Sequence, residues 1–252
     1  MVGDLNFFHQ KSVPKAIIFD LDDTLINCNR RQAWHQTLRG FTQRLQGRNA
    51  DTVATVIADV AEVFWSDSTF NRKWGLRIPE GRLVLVREAL LSVGLDDVHL
   101  LEDLISAFVA CRANTLTLFP GVREALTQIA EQGVQLAMLT NGSSDTQRKK
   151  IEQFNLAEYF EYIQVQEEFG VGKPDVAAFQ NVMDVFELST EDVWMVGDNL
   201  ELDMAAAQRI GIWSIWHDHV GKGLPVNQAV HPDYVILSIP EVPALLEAIK
   251  FS

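Results

Sequence analysis

Residues 15–20, KAIIFD, form a short apolar run that stops at a carboxylate, and nothing able to pair with it in a sheet appears before residue 120. A run this short and apolar reads as a strand buried on both faces. From about residue 27 to 114 the spacing is helical instead. Trp34, Leu38, Phe41 and Leu45 lie on one helical stripe, Val53, Ile57, Val60 and Phe64 on a second, and Leu101, Leu104, Ile105 and Phe108 on a third. The pattern predicts about four helices and no strand there. Beyond residue 120 the two periods alternate. Helices are expected over 121–132, 144–154, 175–186, 199–209 and 241–250, and strands over 134–139, 162–165, 193–196, 212–216 and 234–237. Such alternation implies a parallel sheet covered on both faces. The strand at 15–20 joins that sheet only if the helical stretch is an insertion. The expected architecture is therefore α/β: a discontinuous core from residues 1–26 and 116–252, and an inserted helical cap domain from 27–115. The stretch 217–232, rich in His, Gly and Pro, reads as a loop.

Composition narrows the partners. A length of 252 residues suits one sizeable core with an inserted module. The formal charge of −13 repels nucleic-acid backbone and anionic lipid, so neither is expected as a partner. It also repels phosphorylated small molecules, so a phosphate site here must carry its own local positive charge. Two cysteines, Cys28 and Cys111, are too few for a disulfide framework or a paired metal motif. No apolar run is long enough to span a membrane, and residues 1–15 lack the apolar stretch of a signal peptide. The expectation is a soluble cytoplasmic protein, monomer or homodimer.

Open parallel sheets place their sites beyond the carboxyl ends of the strands. Four polar groups fall there. The first is Asp20-Leu21-Asp22-Asp23-Thr24, where a spacing of two puts the carboxylates of Asp20 and Asp22 on one side of an extended chain. One could attack phosphorus while the other handles the proton, although D-x-D is also common in turns. The second is Thr140-Asn141-Gly142-Ser143, a hydroxyl, an amide and backbone N–H groups before a helix: a phosphate cradle or a plain N-cap. The third is Gly172-Lys173-Pro174-Asp175. Proline suits the first helical position, which leaves Lys173 just before a helix N-terminus, where positive charge is disfavoured unless it faces an anion. The fourth is Gly197-Asp198-Asn199-Leu200-Glu201-Leu202-Asp203, with Asp198 directly after an apolar strand and Asp203 in the first turns of the next helix. Together they gather Asp20, Asp22, Asp198 and Lys173 at one edge of one sheet. Two like charges ~4 Å apart repel by ~4 kcal/mol at an effective dielectric near ~20, so such a cluster calls for a cation. All-oxygen ligands suit Mg²⁺, and no Cys/His grouping argues for zinc.

These four segments, in this order, resemble the motifs of the phosphatase branch of the haloacid dehalogenase superfamily: DLDDTL the first, TNG the second, Lys173-Pro174 the third and GDNLELD the fourth. The match covers residues 15–26 and about 116–216, and the insertion resembles that family's helical cap on a Rossmann-like core. The resemblance implies that Asp20 is a nucleophile forming an aspartyl-phosphate. It implies that Asp22 protonates the leaving alcohol and then activates water. Thr140 and Lys173 would hold the phosphoryl oxygens, with Asn141 and Gly142 lining the same pocket. Mg²⁺ would be held by Asp20, the backbone carbonyl of Asp22, and Asp198, with Asp203 orienting Lys173 or a metal-bound water. The implied activity is Mg²⁺-dependent hydrolysis of a small phosphorylated metabolite: a nucleoside monophosphate, phosphoglycolate or a sugar phosphate.

Three alternatives stand beside this. A 2-haloacid dehalogenase needs neither Asp22 nor a magnesium site. A phosphomutase would share every motif. A non-catalytic binding protein would show a lost motif residue, and none is lost. In the insertion, Arg30, Arg31, His35 and Arg39 share the first helix, and Trp65, Phe70, Arg72, Trp74 and Arg77 lie in a polar-aromatic stretch between helices. The aromatics read as the core of a small helical module rather than a plate for a base or sugar. His217-Asp218-His219 reads as a surface loop with no third metal ligand nearby, and nothing marks Cys28 as reactive.

Overall fold

The computed structural model describes residues 13–226 and 229–250. Residues 1–12, on which the expectation about a signal peptide partly rests, lie outside the described residues.

The first strand, β1 (Ala16–Phe19), is wholly buried and occupies the middle of a six-stranded sheet. The other strands are β4 (Gln135–Thr140), β5 (Tyr162–Val165), β6 (Val193–Gly197), β7 (Trp213–His217) and β8 (Tyr234–Ile236). Their order is β5-β4-β1-β6-β7-β8 and every pairing is parallel. Phe19 is in register with Met138 on one side and Val196 on the other. The chain winds outward from β1 in both directions, so the strand order reverses between β1 and its two neighbours. That reversal opens a crevice at the carboxyl ends of β1, β4 and β6.

Helices α6 (Val122–Glu131), α7 (Ser144–Gln153), α8 (Gln166–Phe169), α9 (Val176–Phe186), α10 (Ala206–Arg209) and α11 (Glu241–Lys250) accompany the sheet. On one face, Ile18, Leu139 and Met195 pack with Phe179, Val182 and Met183 of α9 and with Met204. Each of the five strands expected after residue 120 forms within two residues of its expected ends. One expected helix differs more: that over 199–209 opens as a π-helical turn, Leu200–Ala205, before α10.

The chain divides into two compact units, one from residues up to 26 with 118 onward, the other from 27 to 117. The two connections between them run side by side as two-residue strands, β2 (Ile26–Asn27) and β3 (Thr117–Leu118). The pair lies at the margins of the insertion, and only Asn27 falls within residues 27–115. Within the second unit, Asn29 Nδ2 donates to the Thr115 carbonyl at 2.8 Å and ties its two ends together.

That unit holds five α-helices among the described residues, not four: α1 (Arg30–Arg39), α2 (Ala50–Ser66), α3 (Ser68–Trp74), α4 (Ile78–Ser92) and α5 (Val98–Ala113). Of the stretch expected between helices, Phe70, Arg72 and Trp74 lie on α3, while Trp65 lies near the end of α2 and Arg77 caps α4. Trp34, Leu38, Leu45, Val53, Ile57, Leu101, Leu104 and Phe108 are buried in one core, so the three stripes face one another. Trp34 stacks flat on Phe108 at 3.8 Å. Phe70 packs edge-on against Phe64 and Trp65, and Arg77 lies over the Trp74 ring at 5.0 Å. Arg31 pairs with Asp59 and Glu62, His35 and Arg39 with Asp51. Cys28 is buried and accepts from Arg112 at 3.5 Å.

The reading of His217-Asp218-His219 as a surface loop is corrected. His217 ends β7 and is buried, as is Asp218. The Asp218 carboxylate accepts from the N–H groups of Gly221, Lys222 and Gly223 and so organises the turn that follows. Histidine and aspartate carry no apolar signal in the sequence; in the structure the Phe119 ring packs edge-on against His217 at 4.9 Å.

Candidate active site

Asp20 is the residue after β1. Its N–H donates to the Val196 carbonyl at 2.9 Å, which pins it between β1 and β6 at the carboxyl edge. Its Oδ1 lies 2.5 Å from Lys173 Nζ, and the same ammonium lies 2.6 Å from Asp203 Oδ1. All three residues are buried. Asp198 follows β6, and its carboxylate joins those of Asp20 and Asp203 in offering three oxygens within 4.8 Å of one another. Burial pushes the Asp20 carboxyl up to about 6, Lys173 opposing this and Asp203 and Asp22 adding to it. Burial disfavours charge on Lys173 too, but Asp20 and Asp203 more than offset it and hold the ammonium above the ordinary lysine range. Three carboxylates around one ammonium leave an excess of negative charge in a place mostly closed to water. The donor set is all oxygen, so the cluster fits a hard divalent cation such as Mg²⁺.

The fourth motif is folded to deliver Asp203. Asn199 caps the turn, its Oδ1 accepting from the N–H groups of Glu201 and Leu202 at 3.0 and 2.9 Å. The π-helical turn then widens the backbone, the Met204 N–H reaching back to the Asn199 carbonyl. Asp203 Oδ2 accepts from the Asn199 N–H at 3.0 Å. Gly197 makes room for this. A Cβ there would stand 2.5 Å from Asp203 Cγ and 2.7 Å from its Cβ, closer than real atoms approach.

Lys173 owes its position to a different cause from the one its sequence suggests. Pro174 does not open the helix: α9 begins at Val176, with Asp175 as its cap accepting from the Ala177 N–H. Asn141 instead clamps Lys173 at both backbone groups, Nδ2 donating to its carbonyl at 2.7 Å and Oδ1 accepting from its N–H at 2.8 Å. Asn141 thus holds the backbone of the lysine in place. The backbone donors of the same turn are engaged within the protein. The Gly142 N–H donates to Gln166 Oε1 at 3.1 Å, and the Ser144 N–H to Glu167 Oε2 at 2.7 Å, so side chains of α8 already occupy them. At a φ of 121°, Gly142 serves the turn after β4.

Thr140 ends β4 in a buried position, its Oγ1 accepting from Gln147 Nε2 at 2.6 Å. Asp22 faces a group absent from the sequence reading: Lys150 Nζ donates to its Oδ1 at 2.7 Å and its Oδ2 at 2.6 Å. Gln147 and Lys150, both buried on α7, are the site-edge residues that sequence reasoning missed. The available signal was helical phase, since Ile151 is plainly inward and 147 and 150 share its face.

A family profile of haloacid dehalogenase-like hydrolases matches residues 14–211. The chain belongs to the haloacid dehalogenase-like hydrolase family. The N-acylneuraminate-9-phosphatase of Rattus norvegicus is 31% identical over 239 residues, covering 93% of this chain and 94% of that protein. The glyceraldehyde 3-phosphate phosphatase of Pyrococcus furiosus is 26% identical over 241 residues, 92% of this chain and 93% of that one. Among solved structures, the magnesium-bound HAD-hydrolase YfnB of Bacillus subtilis superposes with a TM-score of 0.73 at 22% identity, over 93% of this chain and 99% of that one. That likeness speaks for the fold, an α/β Rossmann-like core. The relatives place the chain among the family's phosphatases, hydrolases of phosphoric monoesters. Among the described residues no helix is long and apolar enough to cross a membrane.

Proposed function

We propose that the chain is a Mg²⁺-dependent phosphatase that hydrolyses a small phosphorylated metabolite through a phosphorylated Asp20. The observation that carries this reading is the buried set of Asp20, Lys173 and Asp203 with Asp198 beside it. A carboxylate oxygen of Asp20 forms a bond to phosphorus as the ester oxygen leaves, and Asp22 gives that oxygen its proton. Asp22 then takes a proton from water, whose oxygen attacks phosphorus, frees Asp20 and releases phosphate. Lys173, steadied by Asp203, and the Thr140 hydroxyl hold the phosphoryl oxygens. Asp20, Asp198 and the backbone carbonyl of Asp22 would hold Mg²⁺, with Asp203 beside them. Bound there, the ion supplies charge neutralisation to the phosphoryl group.

The retained Asp22 and the acid cluster favour this over dehalogenation, which needs neither. Among the three substrate classes, sugar phosphates come first, because the N-acylneuraminate-9-phosphatase relative aligns along almost its whole length. The decisive experiment is phosphate release from p-nitrophenyl phosphate with Mg²⁺ and with chelator, followed by N-acylneuraminate 9-phosphate, glyceraldehyde 3-phosphate and a wider metabolite set. Activity should require Mg²⁺ and vanish in Asp20→Asn. Wild-type protein as inactive as Asp20→Asn on every ester would overturn the proposal. Interconversion of hexose phosphate isomers without phosphate release would make it a mutase.

A further inference from the structure

A buried lysine is costly to a fold, and its retention needs a partner that gains from it. Lys150 is only 6% exposed, whereas its neighbour Lys149 sits in solvent beside Asp145. Its ammonium touches both oxygens of Asp22 and donates to Gln147 Oε1 at 2.7 Å. The Gln147 amide is thereby oriented: with its oxygen on Lys150, its nitrogen donates to Thr140 Oγ1 at 2.6 Å. A hydroxyl that accepts from Gln147 keeps its own proton to donate elsewhere. The chain of contacts Asp22–Lys150–Gln147–Thr140 therefore joins the first motif to the second through one face of α7, by residues that belong to neither.

We infer that Lys150 is a positioning residue for phosphoryl transfer. It holds the Asp22 carboxyl group in place for proton delivery to the leaving oxygen. This rests on the phosphatase reading above. It differs from a purely structural role in one respect: loss of Lys150 should hurt most where the leaving group most needs a proton.

The test compares kcat/KM, which reports the first phosphoryl transfer, for p-nitrophenyl phosphate and phenyl phosphate. The nitrophenolate leaves readily unprotonated, whereas a phenol of pKa ~10 does not. Misplacing a general acid costs on the order of tenfold to a hundredfold in rate. Lys150→Met should therefore lose tenfold or more on phenyl phosphate while losing at most threefold on p-nitrophenyl phosphate, and Lys150→Arg should recover part of the difference. Adding Lys150→Met to Asp22→Asn should leave the ratio of the two esters unchanged from that of Asp22→Asn alone. Equal losses on both esters in Lys150→Met, or no loss, would overturn the inference while leaving the phosphatase reading intact. Should Lys150→Met fail to fold, the same ratio measured in Lys150→Gln decides. A wild-type protein inactive on both esters would sink the phosphatase reading and this inference together.

Discussion

Replacing Gly197 with alanine tests whether the fourth motif needs glycine because Asp203 lies where a side chain would go. The new Cβ would stand 2.5 Å from Asp203 Cγ and 2.7 Å from its Cβ. Asp203 is 1% exposed and cannot swing into water. It holds Lys173 at 2.6 Å and the Asn199 N–H at 3.0 Å, so any escape loosens both. Forcing a methyl group into a packed site costs about 1–3 kcal/mol. A lost hydrogen bond adds about 1 kcal/mol, and a strained rather than broken buried ion pair adds a fraction of the ~3–5 kcal/mol that full loss of a partner would cost. Removing glycine from a strand returns about 0.5–1 kcal/mol. The net expectation is a loss of about 2–3 kcal/mol, or a fall of roughly 5–10 °C in Tm for a chain of this size. Activity on p-nitrophenyl phosphate should fall at least tenfold, because Lys173 shifts with its partner. Urea titration followed by circular dichroism, with the ester assay alongside, measures both. Gly40→Ala is the control, since its Cβ would meet nothing nearer than the Thr37 carbonyl at 3.4 Å. If Gly197→Ala matched wild type within about 0.5 kcal/mol and kept its activity, the steric account of this glycine would be wrong.

Two further predictions address the rest of the molecule. His217 is buried beside His219, and neither ring nitrogen makes a hydrogen bond of good geometry, although backbone groups of Thr24 and Leu237 lie close enough to favour its charge slightly. Burial first, then the His219 charge, lower it to about 4. The unfolded chain then takes up this proton as pH falls through ~6.5 while the folded chain does not. Stability should therefore be unaffected by this group above that value, fall by up to about 3 kcal/mol between there and about pH 4, and level off below. Urea midpoints at pH 7 and pH 4.5 should converge in His217→Phe relative to wild type, and an identical acid loss in both proteins would refute the assignment. In the helical unit, Trp34→Ala removes one half of the stack with Phe108 at 3.8 Å and should cost about 3–5 kcal/mol by denaturant titration. A cost below about 1 kcal/mol would show that the stack is not the centre of that core.

Much of this protein was determined by local sequence. Strands such as AIIF and VWMV are apolar throughout because a parallel sheet buries both faces, and helices carry their apolar stripes at the spacing of the turn, so both periods survive in the linear sequence. Asp20, Thr140 and Asp198 were legible for the same reason, each following directly from the end of a readable strand. Tertiary structure alone decided which groups meet. Of Arg148, Lys149 and Lys150, only the third turns inward, and its partner Asp22 lies 128 residues away. The Gly142 N–H belongs to Gln166 and the Lys173 backbone to Asn141, pairings made between separate strands' ends. His217 packs against Phe119, which comes from a distant segment of the chain. Local periodicity records the burial of an element's face, whereas the partner of a polar group is set by whichever distant segment packs against it, and no stretch of sequence around Lys150 or His217 carries that information.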